Sequence, residues 1–206
     1  MDPFRRIVPF LLLPSFLLVA PMSQAAILRV SQTGDGSDGA TWETAFQSIG
    51  DALTASASGD RIWVASGTYN ESVTMVPGVS LFGGFRGNEA ANEFTDRDWK
   101  ANRTLINPKG LNKRCVTGAE NVVIDGFSIT GARLDGEHAG FGGGILCRSN
   151  MIVRNCDIYG NYVGCDTEPV FCFSGGGISA PSADNVLISN CFIRDNVALG
   201  EGGGFQ

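Results

Sequence analysis

Three stretches of this chain repeat one another without a gap over twelve positions. They are Asn121-Val-Val-Ile-Asp-Gly-Phe-Ser-Ile-Thr-Gly-Ala132, Asn150-Met-Ile-Val-Arg-Asn-Cys-Asp-Ile-Tyr-Gly-Asn161 and Asn185-Val-Leu-Ile-Ser-Asn-Cys-Phe-Ile-Arg-Asp-Asn196. Each holds two short period-two apolar runs. Val122/Ile124, Met151/Val153 and Val186/Ile188 form the first run, and Phe127/Ile129, Cys156/Ile158 and Cys191/Ile193 the second. Alternation of that kind places those side chains on one face of a strand. Between the runs stand Gly126, Asn155 and Asn190, the two residue types that best tolerate a left-handed backbone. A strand, a tight bend and a second strand, recurring at about 30 residues, describe one turn of a coil. Stacked turns bury the apolar columns and pair each strand with its counterpart about 4.8 Å away.

The rest of the repeat is built from glycine. Gly142–Gly144 precedes Ile145, Gly175–Gly177 precedes Ile178, and Gly202–Gly204 precedes Phe205. The intervals leading to these triplets vary in length, as solenoid loops do. The 28 glycines are about twice the usual share of roughly 7%. They follow no three-residue period, which excludes collagen. Earlier rungs are less regular: IWVASGTY at 62–69, VSLFGGF at 79–85 and TLIN at 104–107 are β-rich runs bounded by turn residues. The polar stretch 86–103 reads as a loop. Ahead of them, Ala45, Phe46, Ile49, Ala52 and Leu53 share one helical face, with Thr41 as N-cap. The fold expected is an all-β, right-handed parallel β-helix from 62 to 206. An N-terminal cap with a short amphipathic helix spans 26–61. The chain stops at Gln206, where a further rung is expected to begin. Open strand edges there predict end-to-end self-association.

Residues 1–25 carry Arg5 and Arg6, an apolar run from Ile7 to Ala20 and a small-residue ending at Ala25, the pattern of a secretory signal. Pro9 and Pro14 interrupt a run that Pro21 ends, already shorter than the roughly 20 residues of a membrane span. Cleavage would remove Asp2, Arg5 and Arg6 and take the formal charge from −6 to −7. No basic stripe is present, which counts against nucleic acid and anionic membrane surfaces. The expected location is secreted, or at the cell envelope or outer-membrane surface, with no span after cleavage.

IWVASGTYNE followed by GVSLFGGFRG resembles the opening rungs of secreted bacterial β-helix proteins of the pectate-lyase-like superfamily. GGGI with NCFIRDNVA is similar to the repeats of chlamydial-type polymorphic outer-membrane proteins. The chain departs from the latter at Gly144 and Gly177, where those repeats have Ala. It departs again at Ile158 and Ile193, where they have Phe before the asparagine. Superfamily members include lyases and hydrolases as well as adhesins, so the fold alone assigns no activity. An enzyme of this kind needs at least two convergent carboxylates, or an acidic calcium cluster beside a basic residue. Stacking allows a test by column. Asp125 shares its column with Arg154 and Ser189, Asp157 with Ser128 and Phe192, and Asp195 with Gly131 and Gly160, so no column stacks two acids. Asp125 reads as a bend residue. The reading that follows is an exported, non-catalytic β-helix domain working by adhesion, carbohydrate contact or structural display. The alternative is a polysaccharide lyase or glycoside hydrolase.

Any ligand is expected at the loops before the glycine triplets, which carry Asp135, Glu137, His138, Asp166, Glu168 and Glu201. Their carboxylates offer oxygen ligands of the kind calcium prefers, and a bound cation would bridge to an acidic polysaccharide. The plainer reading is that they are solvated charges that keep the protein soluble, and His138 an exposed loop residue. Asn161 over Asn196 is expected to form an amide ladder, and Cys156 over Cys191 an inward column of thiols. Parallel stacked Cβ vectors suit a disulfide poorly, and the partners of Cys115, Cys147, Cys156 and Cys191 stay open. Cys165 and Cys172 bracket DTEPVF in the longest loop and are expected to form a disulfide contributing about 2–3 kcal/mol. A mass map of the non-reduced protein should recover the two peptides joined; both thiols free would refute the pairing.

Overall fold

A computed structural model describes residues 25–90, 92–110, 112–135, 140–164, 174–200 and 202–206. Nearly all regular structure is parallel strand. The first sheet stacks Ile27–Val30, Arg61–Ala65, Ser80–Phe85, Val123–Asp125, Ile152–Arg154 and Leu187–Ser189 in that spatial order. The second stacks Gly67–Tyr69, Thr104–Ile106, Phe127–Thr130, Asp157–Tyr159 and Phe192–Arg194, and the third Val73–Thr74, Val116–Thr117, Ile145–Leu146 and Ile178–Ser179. A narrow strip at the corner joins Arg133–Leu134, Tyr162–Val163 and Val197–Ala198. The chain visits each sheet once per turn, so this is a parallel β-helix.

The register is the one the repeat implies. Ile124 pairs with Val153 and Val153 with Ile188, while Ile129 pairs with Ile158 and Ile158 with Ile193. All six belong to or pack on one continuous core, together with Val122, Phe127, Cys156 and Cys191. Each fully buried Ile, Val or Phe adds roughly 1.5–3 kcal/mol of transfer free energy. The bend residues are left-handed as expected, with φ of 89° at Gly126, 55° at Asn155 and 49° at Asn190. The glycine triplets form their own ladder: the N–H groups of Gly144 and Ile145 donate to Gly176 and Gly177 at 3.0 and 2.8 Å, and those of Gly177 and Ile178 to Gly203 and Gly204 at 2.9 Å. A Cβ on Gly144 would sit 2.5 Å from the Gly177 oxygen and 2.9 Å from the Asn161 amide nitrogen. Rung contact at that point excludes any side chain.

Two expectations about the N-terminal region need correction. The parallel sheet begins before Ile62, because Ile27–Val30 pairs in register with Arg61–Val64. The helix is shorter and later than its apolar face implied: it spans Ile49–Ala55 with Ser48 as N-cap, not Thr41. Ser48 Oγ accepts from the Asp51 N–H and donates to the Asp51 carboxylate, and Glu71 accepts from the N–H groups of Ile49 and Gly50. Its first turn is therefore satisfied. Residues 42–47 are taken by other partners. Phe46 exchanges backbone bonds with Arg29 and Ser31 at 3.0 and 2.9 Å, and the Trp42 indole donates to the Glu89 carbonyl at 2.8 Å. Tertiary pairing outcompetes helix propensity there.

Asn161 is buried, at 1% exposure, and fully bonded. Its Nδ2 donates to the Ile129 carbonyl and to Asn196 Oδ1 at 3.1 and 3.0 Å. Its Oδ1 accepts from the Ala132 N–H and the Cys115 thiol at 3.1 and 3.4 Å. This is the expected amide ladder, extended to a third rung through backbone. Asn161→Ala should lower stability by about 3 kcal/mol, since buried groups left unpaired cost roughly 1–3 kcal/mol each. A urea midpoint unchanged from the parent would show that the ladder carries no stability.

Candidate functional site

Residues 86–103 leave the coil between the first and second sheets, and they are more than a loop. A 3-10 turn at Phe94–Asp96 lays Phe94 on the outer face of the first sheet. There Trp63 and Phe82, which alternate with the inward Ile62 and Leu81, would otherwise meet water. Trp63 stacks on Phe85 at 4.6 Å, and Phe94 meets Phe82 edge-on at 4.9 Å. With Trp42 these residues make a second apolar core outside the coil.

Asp125 fastens this excursion. Its carboxylate is fully buried and is bracketed by Arg97 at 2.6 Å and Arg154 at 2.7 Å, with the Asn155 amide donating at 2.8 Å. Arg97 also donates to the Gly83 carbonyl at 3.0 Å and lies over the Phe94 ring at 4.9 Å. Burial works to raise the Asp125 pKa, but hydrogen bonds from Arg97, Asn155 and Arg154 outweigh it and hold the carboxyl below the usual range. Asp125 is thus not the bend residue its position implied. Gly126 makes the bend, and the acid anchors the excursion.

Beyond the anchor the chain crosses the corner over Gly84, where a Cβ would meet the Trp99 backbone at 2.6 Å. Trp99 and Lys100 are thereby carried to the outer face of the second sheet. A cleft of about 310 Å³ opens there, lined by Trp99, Lys100, Arg103, Ser128, Asp157 and Phe192. Ser128, Asp157 and Phe192 are one outward column in successive rungs, so the cleft runs along the coil. Arg103 donates to Ser128 Oγ at 3.0 Å and to the Tyr159 hydroxyl at 3.4 Å. It lies 3.8 Å from Asp157. Asp157 itself is taken by Arg194, whose Nε and Nη2 donate to its two oxygens at 3.1 and 2.9 Å. The Lys100 ammonium stands 5.3 Å from the Trp99 ring, and Phe192 is 59% exposed.

Of the residues expected to bind a ligand, Asp135 alone is described. It lines a separate recess of about 220 Å³ with Gly110, Asn112, Gly131 and Arg133, and Arg133 pairs with it at 2.7 Å. Glu137, His138, Asp166, Glu168 and Glu201 lie outside the described residues, as do Cys165, Cys172 and the signal-like segment up to residue 24. Among the described residues no group of three or more His, Cys, Asp or Glu side chains is placed to hold a metal ion, and no helix is long and apolar enough to cross a membrane. Cys115, Cys147, Cys156 and Cys191 are free thiols. Burial pushes Cys115 and Cys147 up to about 12. The neighbouring Cys156 thiol holds Cys191 below the usual thiol range.

Sequence reading had aligned the Ser128–Asp157–Phe192 column but missed the other wall of the cleft. Trp99, Lys100 and Arg103 belong to no repeat, and the one signal for them is a tryptophan among polar residues. The coil and its outer cleft define the molecule as a parallel β-helix protein with a cleft on the outer face of its second sheet. Residues 32–200 match the model of a family described as protein of unknown function (DUF1565), and the chain belongs to that family. No curated protein and no solved structure matches it.

The anchor makes an acid-sensitive prediction. Because the Asp125 pKa is lower folded than unfolded, its stabilisation is present above the unfolded value of about 3.9. It is lost as pH falls through the folded value. Asp125→Asn should cost about 3 kcal/mol at neutral pH, where it strips the partner from a buried guanidinium. The variant should also lose less stability than the parent between pH 5 and pH 2, limits of roughly the range over which such a carboxylate titrates. Parallel melting curves of equal acid sensitivity would assign the anchor elsewhere.

Proposed function

We propose that this chain is an exported, non-catalytic β-helix domain of cell-surface or envelope type that works by contact with carbohydrate through the cleft on its second sheet. The observation that carries the reading is the state of Asp157, the one carboxylate among the cleft-lining residues. Both its oxygens accept from Arg194. A glycosidase needs two carboxyl groups about 5–9.5 Å apart, one of them protonated, and a general base must be free to take a proton. Asp125, in the rung before, is closed off between Arg97 and Arg154, and Asp195, in the rung after, pairs with Arg194 at 3.1 Å. What the cleft offers is an exposed aromatic surface flanked by hydrogen-bonding groups, which suits the mixed apolar and hydroxylated faces of a sugar.

The exported location rests on the signal-like N-terminus. The surface role rests also on the resemblance to the pectate-lyase-like superfamily and to polymorphic outer-membrane repeats. The alternative, a lyase or hydrolase, predicts bond cleavage. Incubation with a panel of plant, algal and bacterial polysaccharides should retard the protein in affinity electrophoresis without releasing reducing ends or unsaturated products. Time-dependent cleavage of any of them would replace this reading with the enzymatic one.

A further inference from the structure

The charge of the cleft is opposite to that of the molecule around it. The chain carries a formal charge of −6, yet the residues lining the cleft include Lys100 and Arg103 against one carboxylate, Asp157; Arg194 beside them is shared between Asp157 and Asp195. That carboxylate is committed to Arg194. Arg103 approaches it only at 3.8 Å and otherwise bonds neutral hydroxyls. Lys100 has the Trp99 ring beside it at 5.3 Å. Lys100 and Arg103 thus stand beside an aromatic surface, with Asp98 in Coulombic range of Lys100 and Asp157 3.8 Å from Arg103, and they outnumber the one carboxylate among the lining residues.

We propose that the cleft selects saccharide chains carrying anionic groups, carboxylate or sulfate ester, with sugar rings on Trp99 and Phe192 and the anion between Lys100 and Arg103. The proposal rests on the contact reading of the same cleft. A guanidinium suits a planar carboxylate or a sulfate, where charge-assisted hydrogen bonds are roughly twice as strong as neutral ones. The column of Ser128, Asp157 and Phe192 advances by about 4.8 Å per rung along the coil, so the cleft fits an extended chain better than a compact ligand. Burying C–H faces against Trp99 and Phe192 supplies affinity independent of charge, and the cations supply the preference. The attraction is local, since screening limits it to about 8–10 Å at ordinary ionic strength. The net negative charge of the protein therefore does not cancel it.

Three probes test this with the whole chain: alginate for carboxylate, dextran sulfate for sulfate ester, and dextran as the neutral polymer. At low salt at least one of the two charged polymers should bind tenfold or more tightly than dextran, and the gap should close as salt is raised. The ratio between alginate and dextran sulfate identifies the anionic group. Lys100→Gln with Arg103→Gln should remove at least tenfold of the charged-polymer affinity and weaken dextran binding by less, so that the ratio between them falls. Trp99→Ala should weaken all the binding that occurs, and Arg148→Gln, an exposed cation away from the cleft, should change none. Dextran bound as tightly as the charged polymers would overturn the anion preference while leaving carbohydrate contact intact. Charged polymers bound equally by the Lys100/Arg103 variant would put the site elsewhere. No binding of any polymer would remove the contact reading and this proposal together.

Discussion

Every feature of this protein depends on in-register stacking of parallel rungs. Side chains on a strand alternate between faces, so a slip of one residue would turn Ile124, Val153 and Ile188 outward and bring Asp125, Arg154 and Ser189 into the core. That exchange is prohibitive, and it fixes the register without help from any turn. Left-handed bends at Gly126, Asn155 and Asn190 and the ladder through Asn161 and Asn196 hold the corners of one rung over those of the next. Because each rung touches mainly its neighbours, loops between strands vary freely while the columns stay aligned.

The same alternation that builds the inner core creates the need for an outer one. Trp63 and Phe82 face outward because Ile62, Val64 and Leu81 face inward. The excursion at 86–103 covers them, and its attachment is electrostatic as well as apolar. Asp125 occupies an outward position that would be solvated in a bare coil. Covered, it requires Arg97 and Arg154, because a buried carboxylate is tolerable only when paired and hydrogen-bonded. The apolar cover and the ion pairs hold the excursion in one place, and Trp99 is delivered with it.

The cleft follows from that delivery. A bare β-helix face offers a flat array of side chains, whereas a wall standing on it makes a cleft. Trp99 and Lys100 come from the wall and Ser128, Asp157 and Phe192 from the floor, with Arg103 where the wall rejoins the coil. Arg194 stands in the next rung, two positions beyond the Phe192 that pairs with Asp157, so the contact that occupies both Asp157 oxygens is a product of the stacking. The cleft keeps its aromatic and cationic character, and membership of a family without assigned function leaves those residues as the basis for assigning one.

The sequence by itself determined the coil. Apolar alternation and left-handed bend residues are local signals written once per rung, and aligning three copies was enough to place Ile129 over Ile158 over Ile193 and Asn161 over Asn196. It was not enough for segments outside the repeat. The apolar face shared by Ala45, Phe46, Ile49, Ala52 and Leu53 reads as one helix. The chain divides it because Phe46 finds backbone partners on Arg29 and Ser31, and Trp42 a place beside Phe85. Only the tertiary structure decided that Asp125 is an anchor and that Trp99, Lys100 and Arg103 face Asp157. Those contacts join residues roughly 25 to 60 positions apart with no shared period, and their pairing depends on where an excursion folds back. Local pattern carries information about what repeats, while the site is made where the chain departs from its repeat.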